Sequence, residues 1–331
     1  MAPRSSRPRR ASAGAAGVLT VLLVAGCASP VAGGPDASRT SVPPGAAAHG
    51  APTSFDAPLV PETGVYLGMY YGDGTQDETD DAVGRVPQLH LTYVGWEDPW
   101  TTDAVLAEDV ERGQLSLVNW EPFGVDLQDV VDGRYDDLLA RRADEAAGLT
   151  QPAFLDLAAE MNEEEGWGGH DPGLYVAAYR HVHDAFDGKD GGNVVWVWAP
   201  NNVDSAGAPP ALDYYPGDDY VDWTGIDGYN WGTSDPDFEW QGFEEVFRDM
   251  YDDLRTLGKP IIVGETASAE EGGSKAAWVE GIVPTLRDEF PDIRALVWFD
   301  VDKERDWRVR SSEDSLAAVR ELAADELFQT S

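Results

Sequence analysis

The chain has 331 residues, 42% of them hydrophobic and 25% charged. That balance supports a sizeable buried core and argues against a disordered polymer. Its 61 acidic residues against 23 Lys and Arg give a formal net charge of -38. A field of that sign repels phosphate backbones and anionic membrane surfaces, so no nucleic-acid partner is expected. A neutral partner is easier to accommodate, and the charge also keeps a secreted protein soluble.

Residues 1–26 place Arg4, Arg7, Arg9 and Arg10 ahead of an apolar run at 18–24, the layout of a secretory signal and too short for a convincing membrane span. The segment closes on Val24-Ala25-Gly26-Cys27, which resembles the lipobox of bacterial lipoproteins. That resemblance implies lipidation at Cys27, membrane attachment through the lipid, and an extracytoplasmic place in the cell envelope. Cys27 is the single cysteine of the chain, which excludes a disulfide framework and a cysteine metal site. Residues 27–57, rich in Pro, Gly, Ala and Ser, read as a flexible tether. Residues 58–331 have the composition of one folded domain.

Within that domain short apolar runs recur at 64–69, 89–94, 115–120, 153–159, 194–199, 220–226, 260–264 and 295–299. Each is followed by a polar loop and, in most cases, a longer helical pattern, the signature of parallel strands with crossover helices. Helices are predicted over 172–186, over 243–257 before Gly258, and over 274–286 behind the cap-type Ser274. Eight such units point to a closed (β/α)8 barrel, an α/β fold, rather than an open doubly wound sheet, and neither common phosphate-loop pattern is present.

A barrel of this kind carries its chemistry at the C-terminal ends of the strands. The expected ends supply Trp96 and Glu97, then Asn119, Trp120 and Glu121, then Glu160 and Asn162. Further round come Trp198 and Asn201, then Asp227, Tyr229 and Trp231, then Glu265, and last Trp298 and Asp300. Carboxylates and aromatics collect at one face, and this mixture suits a sugar, whose C–H faces stack on rings and whose hydroxyls need polar partners. Acetal hydrolysis needs one carboxyl to protonate the leaving oxygen and a second to attack or stabilise the anomeric centre. Glu160 and Glu265, at the fourth and seventh strands, face one another across such a mouth.

The stretch Leu157-Ala158-Ala159-Glu160-Met161-Asn162 resembles the His-Glu-Met-Asn signature of glycoside hydrolase family 26, the clan A family of β-mannanases and mixed-linkage glucanases. Similar matches are 119–122, 223–231, Gly264-Glu265, 297–300 and 306–308, so the likeness runs from about residue 64 to 320. It implies a retaining mechanism with Glu160 as acid/base and Glu265 as nucleophile. It also implies Tyr229 holding the nucleophile by a hydrogen bond, Trp298 as a floor beneath the reacting sugar, and Trp167 as a wall. Trp120, Glu121, Asn162 and Trp231 complete the expected substrate contacts. The implied partner is a β-linked polysaccharide, β-mannan first and β-1,4 or mixed-linkage glucan second, bound by a monomer with no cofactor and no metal. Two positions depart from the family: Ala159 stands where it has histidine, and Asp156 where it has arginine.

Other features read as structural. Glu163, Glu164 and Glu165 form an acidic run that reads as a solvated loop, with like-charge repulsion that helps Glu160 keep its proton as the alternative. His181 and His183 face different directions on their helix. The acidic stretch 73–78 lacks the spacing of a calcium loop.

Overall fold

The computed structural model describes residues 54–72, 74–99, 104–163, 166–167, 169–189, 192–233 and 236–330. The expected leader, Cys27 and most of the tether lie outside the described residues. The eight apolar runs form strands β1 (Tyr66–Tyr70), β2 (Leu89–Gly95), β3 (Leu115–Glu121), β4 (Ala153–Leu157), β5 (Val194–Trp198), β6 (Trp223–Asn230), β7 (Ile261–Ser268) and β8 (Ile293–Phe299). All pair in parallel with their sequence neighbours, and β1 pairs with β8 to close the barrel.

Around it run α1 (Gln76–Val83), α2 (Ala104–Arg112), α3 (Leu127–Val131), α4 (Asp136–Ala147), α5 (Pro172–Phe186), α6 (Phe243–Leu254), α7 (Lys275–Glu280), α8 (Ile282–Asp288) and α9 (Glu313–Ala324). The single helix expected over 274–286 is divided at Gly281. Pro284 explains the break, because in an unbroken helix its ring would collide with the carbonyl of residue 280. The acidic stretch before Val83 caps a helix: the Thr75 hydroxyl accepts from the Glu78 amide at 3.3 Å, and Arg112 bonds Asp77 at 2.6 Å.

Strand alternation sorts the core into two layers. Leu89, Leu91, Leu117, Phe154, Val195, Val197, Trp223, Ile262, Ala295 and Val297 fill the lumen. The residues between them, including Val118, Trp120, Leu155, Trp196, Val263, Leu296 and Trp298, face the helices. The floor is sealed from the N-terminal side, where Pro58 accepts from the Trp223 indole at 2.8 Å. Arg294 clamps the same segment through the carbonyls of Pro61 and Gly64.

One irregularity aims a functional side chain. The β6–β7 register runs Ile226 against Val263 and then Asp227 against Glu265, so Gly264 is an extra residue. Strict alternation after the outward Val263 would turn Glu265 toward the helices, and the bulge returns it to the lumen. Only glycine fits there, since a Cβ at 264 would lie 2.6 Å from the Asp227 carboxyl. Gly264→Ala is expected to cost about 1–3 kcal/mol of stability through this collision, measurable by urea unfolding.

Candidate active site

Glu160 sits just past β4 on a tightly wound segment. Ala158 and Glu160 both adopt left-handed backbone conformations, at φ 53° and 56°, which cost non-glycine residues free energy and persist only where neighbours enforce them. Those neighbours are visible. The Ala158 amide donates to the Trp120 carbonyl at 3.1 Å and the Glu160 amide to the Ala199 carbonyl at 2.8 Å. The Trp167 indole donates to the Ala159 carbonyl at 2.7 Å, and the Tyr175 hydroxyl to the carbonyls of Leu157 and Ala158. The result projects Glu160 into the mouth, where its Oε1 accepts from Asn201 Nδ2 at 2.8 Å.

Glu265 is buried and surrounded by donors. Tyr229 donates to Oε2 at 2.6 Å, Tyr93 donates to Oε1, and Asn119 Nδ2 reaches Oε1 at 3.5 Å. Beneath them Phe299 stacks on Tyr70 with ring centres 4.8 Å apart and meets Tyr229 edge-on at 5.8 Å. Trp307 packs against Tyr229 and Trp231, and Trp231 stacks on Phe238 at 5.1 Å.

The two carboxyls have different proton affinities for identifiable reasons. Burial lifts both. For Glu265 the hydrogen bonds from Tyr229 and Tyr93, the charge of Lys303 and the Asn119 bond then favour the ionised form. For Glu160 the neighbours Glu163, Glu265 and Glu121 push further upward, against the single opposing donor Asn201, so this carboxyl is held well above the usual range. Environment thereby separates the proton affinities of the two carboxyls. Burial, and then the charge of Glu265, lift Glu121 to about 8, with Lys303 pulling the other way. Asp156 and Asp227, in the lumen below, are also raised well above the carboxylate range, first by burial and then by Glu265.

Several expected contacts move. Trp120 faces outward, is fully buried, and stacks on Trp96 at 4.5 Å while its indole donates to the Trp96 carbonyl; it walls the barrel and does not reach a sugar. Trp298 is likewise turned to the helices, donating to the Trp307 carbonyl at 2.9 Å, and the ring facing the mouth from β8 is Phe299. Asn162 is fully buried. It donates to the Asn201 carbonyl and accepts from the Asn201 amide, so it braces the loop that carries Asn201. Trp167 props the acid loop and meets Phe123 edge-on at 5.0 Å. Glu121, Tyr229, Trp231 and Glu265 lie where strand ends place them.

Glu163 also departs from its expected role as part of a solvated loop. It is half-buried and accepts from Asn201 Nδ2 at 2.9 Å. Tyr93, Glu163, Phe299 and Trp307 were not singled out from the sequence as site residues. A period-two reading of the second and eighth strands finds Tyr93 and Phe299, Trp307 lies in the family-like stretch 306–308, and Glu163 lies in the acidic run that follows Asn162. His181 bonds Asp136, whereas His183 packs against Trp196 and Tyr220.

Comparison with known proteins settles the family. Residues 87–287 match the model of glycosyl hydrolase family 26. The chain belongs to that family. Endoglucanase H of Acetivibrio thermocellus is 33% identical over 275 residues, 78% of this chain and 30% of that protein. The β-1,3-xylanase TXYA of a Vibrio species is 25% identical over 239 residues, 65% of this chain and 47% of that one. The chain thus spans less than half the length of either relative. Among solved structures, the family 26 β-mannanase from Bacteroides ovatus superposes with a TM-score of 0.58 at 16% identity, covering 81% of this chain and 90% of its own, a likeness of fold.

The elevated Glu121 carboxyl gives the family 26 domain a signed pH dependence. A carboxyl whose folded affinity exceeds its unfolded value contributes stability at acid pH, lost as pH rises from the ordinary value of 4.5 through about 8. Glu121→Gln is therefore expected to unfold at higher temperature than the parent at pH 8, with the difference shrinking toward pH 4.5. Thermal melts across that window check it.

Proposed function

We propose that this protein is a retaining endo-acting β-glycanase in which Glu265 is the nucleophile and Glu160 the acid/base. The reading is supported chiefly by the asymmetry of the two carboxyls: donors on Glu265 favour a carboxylate, and negative neighbours of Glu160 favour a protonated acid. In the first step a Glu265 oxygen attacks the anomeric carbon. The glycosidic C–O bond breaks, its electron pair stays on the leaving oxygen, and that oxygen takes the Glu160 proton. Water then attacks the same carbon, gives a proton to the Glu160 carboxylate, and releases Glu265. Two inversions return the original anomeric configuration.

The substrate is a neutral β-linked glycan, because a chain with a formal net charge of -38 repels polyanions. β-1,4 or mixed-linkage glucan is favoured by the identity to Endoglucanase H, with β-mannan supported by the likeness to the Bacteroides ovatus enzyme. Trp231, Trp167 and Phe123 supply rings for sugar faces, and Glu121, protonated near neutral pH, donates to a hydroxyl. Glu265→Gln is expected to abolish release of reducing ends from these polymers while leaving the melting curve intact. Proton NMR of the first products from the parent should show the β-anomer. Release of the α-anomer, or normal turnover by Glu265→Gln, refutes the mechanism. A polymer retained on a column by the parent with no oligosaccharide released would indicate a glycan-binding barrel instead.

The lipobox-like sequence supports a protein in the cell envelope, anchored outside the cytoplasm by lipid on Cys27. Radiolabelled palmitate should enter the parent and be absent from Cys27→Ala, which should appear in the medium. Equal labelling of the two removes the anchor.

A further inference from the structure

The side chain of Asn201 has two amide hydrogens, and both are committed to carboxyls. One reaches Glu160 Oε1 at 2.8 Å and the other Glu163 Oε1 at 2.9 Å. The amide cannot turn over, because its Oδ1 accepts from the Val203 backbone amide at 3.1 Å and a reversed group would set donor against donor. Its backbone is clamped as well, with the amide on Asn162 Oδ1 at 2.9 Å and the carbonyl accepting from Asn162 Nδ2 at 3.0 Å. Asn162 in turn is tied to Asp204. A rigid fork therefore holds two carboxyls on one nitrogen.

We propose that Glu163 is a positioning residue for Glu160, joined to it through the Asn201 amide, and that its negative charge keeps the proton on Glu160 until the leaving oxygen takes it. The inference rests on the assignment of Glu160 as acid/base. Three steps lead to it. First, Glu160 Oε1 is occupied as an acceptor, which leaves Oε2 to carry the proton toward the substrate. Second, a carboxylate held on the same amide repels a charge on Glu160, and in a half-buried loop that repulsion is weakly screened. Third, the charge on Glu163 strengthens Glu160 as a base in the second half of the reaction, when its carboxylate must remove a proton from water.

Other groups act on the pair and bound the effect. Glu121 from β3, Asp227 and Tyr229 from β6, and Glu265 from β7 face Glu160. Burial, and then the charge of Glu265, lift Glu163 to about 7, so the charge it exerts on Glu160 is present from neutral pH upward, the side on which the alkaline limb of the pH profile lies. The His170 ring bonds the Glu163 carbonyl at 2.9 Å. Lys303 acts on Glu265 and Glu121. Within this set, Glu163 is the carboxyl that shares a hydrogen-bond donor with Glu160.

The test is the pH profile of kcat/KM on barley mixed-linkage glucan and on glucomannan, using whichever the parent cleaves. Glu163→Gln keeps an oxygen for Asn201 and removes the charge. Its alkaline limb should move to lower pH by roughly one unit, a tenfold loss above the limb, with the acid limb in place. Glu163→Asp should restore the parent limb. Asn201→Leu should move it the opposite way, since a donor favouring the Glu160 carboxylate is gone. The glycosylation rate of an oligosaccharide bearing a 2,4-dinitrophenolate leaving group, which needs no proton, should be unchanged in Glu163→Gln. An unmoved alkaline limb, or equal loss at every pH and on both substrates, overturns the proposal. Glu160→Ala separates the two failures. If that variant loses the alkaline limb while Glu163→Gln leaves it unmoved, the acid/base assignment stands and the coupling falls; if it retains the limb, both fall.

Discussion

Six carboxyls converge on one partly dehydrated opening, and the rest of the site follows from how their mutual repulsion is resolved. Burial disfavours every charge there, and each ionised neighbour adds to the cost of the next. The structure concentrates compensation on one member. Tyr93, Asn119 and Tyr229 aim donors at Glu265, while Lys303 draws its proton affinity back down. Glu121, Asp156, Glu160 and Asp227 lack that degree of support and hold their protons more tightly. Oriented donors thus favour the ionised form of Glu265 more than that of the carboxyls around it, although burial keeps its proton affinity above the ordinary value.

The replacement of the family's arginine by Asp156 fits the same logic. A guanidinium in the lumen would stabilise charge on several of these carboxyls at once and flatten the difference between them. With Asp156 there, selective stabilisation depends on oriented hydroxyl and amide groups. These act over shorter distances and discriminate between one oxygen and the next. The extra residue at Gly264 belongs to the same design, since it turns Glu265 into the ring of donors and presses its backbone against Asp227.

Much of the scaffold was legible in the residue order. Eight apolar runs, their spacing and the positions of Glu160, Tyr229 and Glu265 locate the barrel and its working end. What failed was facing. In a parallel barrel both sides of each strand are apolar, one against the lumen and one against helices, so hydrophobicity does not report which side a tryptophan occupies. Trp120 and Trp298 were therefore expected at the sugar when they support the wall behind it, whereas Phe299, one position further along, faces the mouth. The sixth strand, expected over 220–226, runs from Trp223 to Asn230. At Glu163 charge alone left two readings, a solvated loop or repulsion on Glu160, and the Asn201 amide that draws the side chain in is supplied by the fold.

The sealing of the lumen by residues 57–64 fixes a direction as well as a floor. The polypeptide arrives at the closed end, where Pro58 meets Trp223, and the reactive opening looks out along the barrel axis from the other end. A change within residues 57–64 therefore acts on the barrel from the end opposite its carboxyls.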